Sequence, residues 1–165
     1  MRCFVVMGVA GSGKSTVGAL VAEKMAARYV DGDDLHPQEN IAKMAAGTPL
    51  DDADRWPWLD SVGDTLAQSE GQVVIGCSAL KRSYRDRIRV RVEEPVLFLH
   101  LTADKDTLLQ RMEARQGHFM PVDLLDSQLK TLEPLEGDEA SISLDINAAP
   151  EEISETFVNL IRECW

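Results

Sequence analysis

With 165 residues, 44% of them hydrophobic and 27% charged, the chain has an ordinary globular composition and is long enough to bury a core, most simply as one domain. A formal net charge of −11 excludes the basic surface that a nucleic-acid partner requires, and the absence of a run of about 18 apolar residues excludes a membrane-spanning helix. Three cysteines, Cys3, Cys77 and Cys164, are odd in number and lack metal-ligand spacing; they read as free thiols of a reducing compartment, the cytoplasm.

The chain enters a short apolar run at once, Cys3 to Met7 (CFVVM), so a buried strand is expected and a cleavable leader is not. Gly8 to Ser15 (GVAGSGKS) follows and fits the phosphate-binding pattern G-x-x-x-x-G-K-[ST]. A helix-forming run from Lys14 to Arg28 comes next, with Val17, Leu20, Val21 and Met25 at helical spacing. Tyr29-Val30 begins a second strand ending in Asp31-Gly32-Asp33-Asp34. Pro37 suits the first turn of a helix that stops at Gly47. Asp51 to Asp54 reads as the cap of a helix carrying Arg55, Trp56, Trp58, Leu59, Val62 and Leu66. Gln72 to Cys77 is a continuous apolar strand, Ser83 to Arg91 a basic helix, and Val96 to Leu101 another buried strand. Asp104 caps the next helix, Gly117 to Pro121 is a loop, and Asp123 to Leu132 is helical. Ser141 to Ile146 is the last strand, and Pro150 opens a closing helix. Five strands alternating with helices predict a three-layer α/β/α fold around a five-stranded parallel sheet, with the ligand at the carboxyl ends of the strands.

The chemistry follows from the loop. Glycines let successive backbone N–H groups turn inward around a phosphate, and the helix N-terminus adds unpaired donors. Gly8, Ala10, Gly11, Ser12, Gly13, Lys14 and Ser15 are therefore the candidates for holding the triphosphate of a nucleotide. Lys14 would reach its outer phosphates and the Ser15 hydroxyl would ligate Mg²⁺. Asp31 and Asp33 end the second strand, at the same edge. One carboxylate can accept the proton of an attacking hydroxyl while another helps hold the metal, and Asp31 is the candidate for the metal. The strands ending in Cys77 and in Leu101 supply no carboxylate for that task. Lys81 and Arg85 lie nearest a strand end and are expected to face an anionic substrate, whereas Arg87, Arg89 and Arg91 read as a solvated or paired helix face. Arg111 and Arg115 share a helix face just before the glycine-containing loop, an arrangement suited to a lid over the triphosphate. One of the two tryptophans beside Pro57 is expected to anchor the core.

Five segments together resemble the small gluconate kinases, of the shikimate-kinase-like branch of phosphate-loop kinases. They are MGVAGSGKST (7–16), DGDDLHPQENIAKMAAGTPLDDADRWPWL (31–59), CSALKRSYRDRIR (77–89), HFMPVDLLDSQLKTLEPLEGDE (118–139) and the closing strand and helix. The second is the most specific. The resemblance implies ATP-dependent phosphorylation of D-gluconate at its terminal hydroxyl, with the stretch from Gly8 to Thr16 holding the triphosphate of ATP and Mg²⁺. It implies Asp33 as base or anchor for the substrate hydroxyls and Arg55 as partner of the substrate carboxylate, with His36, Lys81, Arg85 and Gln128 as further substrate-side candidates. It implies a lid over about residues 112–133, with Arg111 against adenine and Arg115 near the phosphates; members of this family are often homodimers. Two other readings stay open: a related small-molecule kinase acting on shikimate or another sugar acid, and a nucleotide-binding switch without a small substrate.

Overall fold

Strand β1 (Cys3–Met7) is buried along its whole length and lies at the centre of a five-stranded sheet in the order β2-β3-β1-β4-β5, with every neighbouring pair parallel. Its companions are β2 (Arg28–Asp31), β3 (Val73–Gly76), β4 (Val96–Thr102) and β5 (Ser141–Asp145). The computed structural model describes residues 1–114 and 122–165. Side chains alternate across each strand, and here both faces are covered. Phe4 and Val6 of β1 join Val74, Leu97 and Leu99 on one face, while Cys3, Val5 and Met7 join Val73, Ile75 and Phe98 on the other. Helices α1 (Lys14–Met25) and α7 (Pro150–Cys164) close the first face through Val17, Val21, Phe157 and Ile161. Helices α3 (Asp52–Gln68) and α4 (Arg82–Arg89) close the second through Leu59, Val62, Tyr84 and Ile88. This is the three-layer arrangement expected, and double-sided burial explains why the three inner strands β1, β3 and β4 read as unbroken apolar runs, while the edge strands β2 and β5 are only partly buried. Helices α2 (Gln38–Ala45), α5 (Lys105–Ala114) and α6 (Val122–Thr131) complete the chain. Among the described residues no helix is long and apolar enough to cross a membrane.

Element boundaries differ where a local backbone device intervenes. Helix α1 stops at Met25 rather than Arg28 because Ala26 turns left-handed, at φ 52°, and the Ala27 N–H closes back onto Ala22 O at 2.8 Å. That frees Arg28 to start β2 against Gln72 O at 3.0 Å. Helix α3 starts on a reciprocal cap: the Asp54 N–H donates to Asp51 Oδ1 at 2.8 Å, and the Asp51 N–H donates to Asp54 Oδ2 at 3.0 Å. Trp58 is the core anchor of the tryptophan pair, 4% exposed, and Trp56 packs edge-on against Tyr84.

The basic helix α4 lies on an acidic face of α3. Arg87 pairs with Asp60 at 2.6 Å, and Arg91, in the turn just past the end of α4, pairs with Asp64 at 2.8 Å, two rungs four residues apart in both segments. Exposed pairs of this kind contribute about 0.2–1 kcal/mol each, whereas burying one side chain such as Ile88 contributes about 1.5–3 kcal/mol. Packing therefore holds the helices together and the rungs set their alignment.

Arg85 corrects an expectation. It does not face a substrate: the residue is 0% exposed, and its guanidinium is consumed internally. Nε and Nη2 donate to the Glu139 carboxylate at 2.8 and 3.1 Å, Nη1 donates to Ala79 O and Leu80 O, and Nη2 also reaches Pro134 O. The physical reason is a buried counter-charge 54 residues away in sequence, which the local pattern cannot reveal. Burial pushes the Glu139 carboxyl up, but Arg85, the Glu136 N–H and Arg89 outweigh it and bring it to about 2. Replacing Glu139 with Gln strands the Arg85 charge in the interior, so a loss of about 3–5 kcal/mol is expected in urea unfolding. Because the folded pKa lies below the ordinary 4.5, this stabilisation is present above pH 4.5 and is lost as pH falls toward about 2. The Glu139→Gln variant should lack that acid-side decline, a difference readable from melting curves across pH.

Candidate active site

The loop between β1 and α1 has the backbone its sequence requires. Gly11 and Gly13 hold φ of 79° and 91°, the left-handed region in which a β-carbon is strained, and Gly13 is the N-cap of α1. The Gly8 N–H is tied to Ser78 O at 3.4 Å and the Ser12 N–H to Val9 O at 3.3 Å. Lys14 arches back over the loop, its Nζ donating to Val9 O at 3.1 Å. Ser15 and Thr16 occupy the first turn of α1, where backbone N–H groups have no preceding carbonyl within the helix. Gly11, Gly13 and Thr16 line a hollow of about 270 Å³ with Arg111, Ala114 and Pro150. Arg111 is steadied there by donating to Ile146 O. Gln128, a substrate-side candidate, lies against this loop: its Oε1 accepts from the Ala10 N–H at 2.6 Å. The Ala10 amide is thus already engaged by α6.

The acidic edge comes from β2. Its last residue, Asp31, accepts the Asp33 N–H at 3.0 Å and so caps the single-turn 3-10 helix Gly32–Leu35. Surrounding protein raises the Asp33 pKa and Asp31 raises it further, against the lowering influence of Lys14 and His36. Asp33 and Lys14 are therefore electrostatic neighbours across the cleft. The Tyr29 hydroxyl, buried behind them, is raised by burial and is acted on by Ser15, Asp31 and Asp33 together. Ser15 and both carboxylates thus share the Tyr29 hydroxyl as an electrostatic neighbour. Their donor atoms are all oxygen, the set that suits Mg²⁺. Among the described residues no three His, Cys, Asp or Glu side chains form a metal site alone, so phosphate oxygens and water would have to complete the coordination.

The opposite wall carries the cations. Arg55 Nη1 lies 3.3 Å from Tyr84 Oη, and Lys81 Nζ lies 3.3 Å from Asp52 Oδ2. Both cations sit over the Tyr84 ring, 5.6 and 5.4 Å from its centroid. Tyr84 donates to Asp52 at 2.5 Å; this bond, then Lys81, holds the Asp52 carboxyl below its ordinary range. Asp52 and Tyr84 were not singled out in the sequence. Asp52 hides within a capping run, and Tyr84 looks like one more apolar helix residue. His36 stacks on Trp58 beside this wall, with ring centroids 4.2 Å apart. Arg115, with the rest of 115–121, lies outside the described residues.

A glycine-turned loop between the central parallel strand and a helix, facing carboxylates from the next strand but one, defines the phosphate-loop kinase class. Comparisons with known proteins agree. A family model described as an AAA domain matches residues 5–121. The thermosensitive gluconokinase of Escherichia coli K12 is 48% identical over 148 residues, covering 87% of this chain and 79% of that protein. The crystal structure of a gluconokinase from Sinorhizobium meliloti 1021 superposes with a TM-score of 0.88 at 44% identity, covering 99% of this chain and 98% of that one. A shikimate kinase from Aquifex aeolicus shares the fold alone, with a TM-score of 0.60 at 17% identity and coverage of 99% and 97%. The chain belongs to the gluconokinase family.

Gly32 is the joint on which Asp33 is mounted. A β-carbon there would lie 2.3 Å from Gly76 O, on a neighbouring strand that cannot yield. Gly32→Ala should therefore push the turn off the sheet. The expected result is a loss of about 1–3 kcal/mol in thermal unfolding, together with a fall in turnover larger than the fall in nucleotide affinity.

Proposed function

We propose that this protein transfers the terminal phosphoryl group of ATP to D-gluconate, giving 6-phospho-D-gluconate and ADP. The observation that carries the reading is the pairing of two walls. Asp33 faces Lys14 at the phosphate loop, and Arg55 and Lys81 stand together over Tyr84 where a carboxylate can be held. A sugar acid laid between them would present its carboxylate to the cations and its far hydroxyl to Asp33.

In this mechanism the loop and the first turn of α1 hold the phosphates through backbone N–H groups, and Lys14 neutralises the outer ones. Mg²⁺, held by Ser15 with Asp31 behind it, would supply charge neutralisation at the phosphate oxygens. Asp33 orients the terminal hydroxyl and takes its proton. The hydroxyl oxygen then bonds to the γ-phosphorus as the bond to the β–γ bridging oxygen breaks in line, and ADP leaves. Arg111 flanks the nucleotide. A lid over about residues 112–133, with Arg115 at the phosphates, would exclude water during transfer. Gln128 supports that assignment from the described side of the segment, since it reaches the loop directly. The reaction is that of a cytoplasmic metabolic enzyme, carried by one catalytic domain.

The test is ADP release with ATP and Mg²⁺ in the presence of D-gluconate, of shikimate, and of no acceptor. Stimulation by gluconate alone is expected. Stimulation by shikimate would favour the related-kinase reading, and a slow rate indifferent to either acid would favour a nucleotide switch. Lys14→Ala should reduce turnover by about a thousandfold or more, since it removes a charge from the transferring phosphates. Asp33→Asn should lower kcat strongly while leaving ATP affinity nearly unchanged. Because the Asp33 pKa is raised, the base is ionised only above the ordinary aspartate range. The rate should fall on the acid side at a higher pH than a free aspartate would give, as a pH profile of kcat/KM will show.

A further inference from the structure

His36 closes the acidic turn, its backbone N–H donating to Asp33 O at 3.4 Å, and its ring charge is acted on by both Asp33 and Arg55. One face of its ring is covered by Trp58, which is fixed in turn by donating from Nε1 to Gly32 O at 2.7 Å. Its Nδ1 lies 3.1 Å from Nδ2 of Asn40, and that same nitrogen lies 2.9 Å from Asp54 O. Asn40 is 2% exposed and sits in α2. The Asp54 carbonyl belongs to a backbone locked by the α3 cap and by the Lys43–Asp54 pair at 2.9 Å.

These contacts permit one proton arrangement. A backbone carbonyl can only accept, so the Asn40 atom facing Asp54 O is the amide nitrogen. An amide NH₂ has two protons and no capacity to accept. One proton goes to Asp54 O and the other to His36 Nδ1, which therefore carries its lone pair. The proton of the neutral ring is on Nε2. Neutrality is favoured by burial of the ring, and Arg55 adds to this against the opposing pull of Asp33. Among the described residues no partner is bonded to Nε2.

We propose that Asn40 is a positioning residue that fixes His36 as the Nε2–H tautomer, so that His36 offers the polyhydroxy acid a hydrogen-bond donor and never an acceptor. The substrate half of this proposal rests on the gluconate reading above. A one-way donor reads an oxygen. A hydroxyl placed against it accepts and must send its own proton elsewhere, and an analogue lacking that hydroxyl leaves the Nε2–H unpaired. The pair Asn40–His36 would thus select the pattern of hydroxyls along the chain of the acid, a task separate from holding its carboxylate.

The first measurement is the ¹⁵N–¹H correlation spectrum of the imidazole nitrogens at neutral pH in the wild-type protein. There are three histidines, and His36→Gln assigns the signal. A protonated Nε2 with an unprotonated Nδ1 is expected for His36, with Nε2 shifting when gluconate is added. A protonated Nδ1 or a cationic ring would overturn the assignment. In Asn40→Asp the new carboxylate can only accept at Nδ1, so the tautomer should reverse. The KM for gluconate should then rise by about tenfold, the loss of one hydrogen bond, while the KM for ATP moves by less than about twofold. A joint rise of both constants would mean a purely structural role and would sink the proposal. Should Asn40→Asp fail to fold, His36 itself decides. Glutamine keeps an N–H near the Nε2 position, so His36→Gln should retain gluconate affinity that His36→Ala loses, and equal loss in both would refute the donor role. The spectrum needs no substrate. If wild type shows no gluconate-stimulated ADP release, the substrate half falls together with the proposed function, and the tautomer stands or falls on the spectrum alone.

Discussion

In a parallel sheet every strand ends at the same edge, and that constraint governs where this molecule can do chemistry. One row of the sheet runs Asp31, Gly76, Val6, Leu99 across four strands. The phosphate loop leaves from the residues just after Val6, and the acidic turn leaves from Asp31 itself. Strands lie about 4.8 Å apart, so these two exits are separated by about 10 Å, a gap that an aspartate and a lysine reach across. The strand between them ends in Gly76, and a β-carbon there would lie 2.7 Å from Tyr29 Oη. The middle position is kept empty so that the buried phenol can stand behind Ser15 and the two carboxylates.

What the sequence disclosed, and what it withheld, divides along a physical line. Features set by local backbone or by a continuous apolar run were legible: the glycine loop, the three inner apolar strands, the caps at Asp51 and Asp104. Helix ends were less so, because an alanine at positive φ, as at Ala26, carries no compositional mark. Among site residues the loop and the Asp31–Asp33 turn could be read, since their chemistry lies in a few consecutive residues. Arg85 could not. Lys81 and Arg85 lie one helical turn apart, yet one meets Asp52 at the rim and the other Glu139 in the interior. The loop contact of Gln128, itself a named candidate, and the contacts of Asp52, Tyr84 and Asn40 were hidden for the same reason: each is made with a partner more than ten residues away, except for the Asn40–His36 contact, which spans one turn and is meaningful only once Asp54 is placed.

The two arginine environments show how one residue type serves opposite ends. At Arg85 the cost of burying charge is offset by a bidentate carboxylate and three backbone carbonyls, so nothing remains for a ligand. At Arg55 the guanidinium is half-buried, lies over an aromatic face and has a carboxylate only at 3.9 Å, so a stronger anion can still improve its lot. The first kind of site fixes the segment after α6 onto α4; the second is left under-satisfied, and ligand recognition draws on that deficit.

The ladder between α3 and α4 has an effect beyond holding two helices in line. By cancelling Arg87 against Asp60 and Arg91 against Asp64, it removes from the surface the cations that could have formed a positive antenna. The molecule that a nucleotide or a sugar acid meets from a distance is then the one with a net charge of −11, and both visitors are anions. Attraction begins only within about a Debye length of the cleft, roughly 8–10 Å at physiological ionic strength. Capture is consequently uphill at long range, and dissolved salt, which slows the encounters of most charge-steered pairs, eases the approach here.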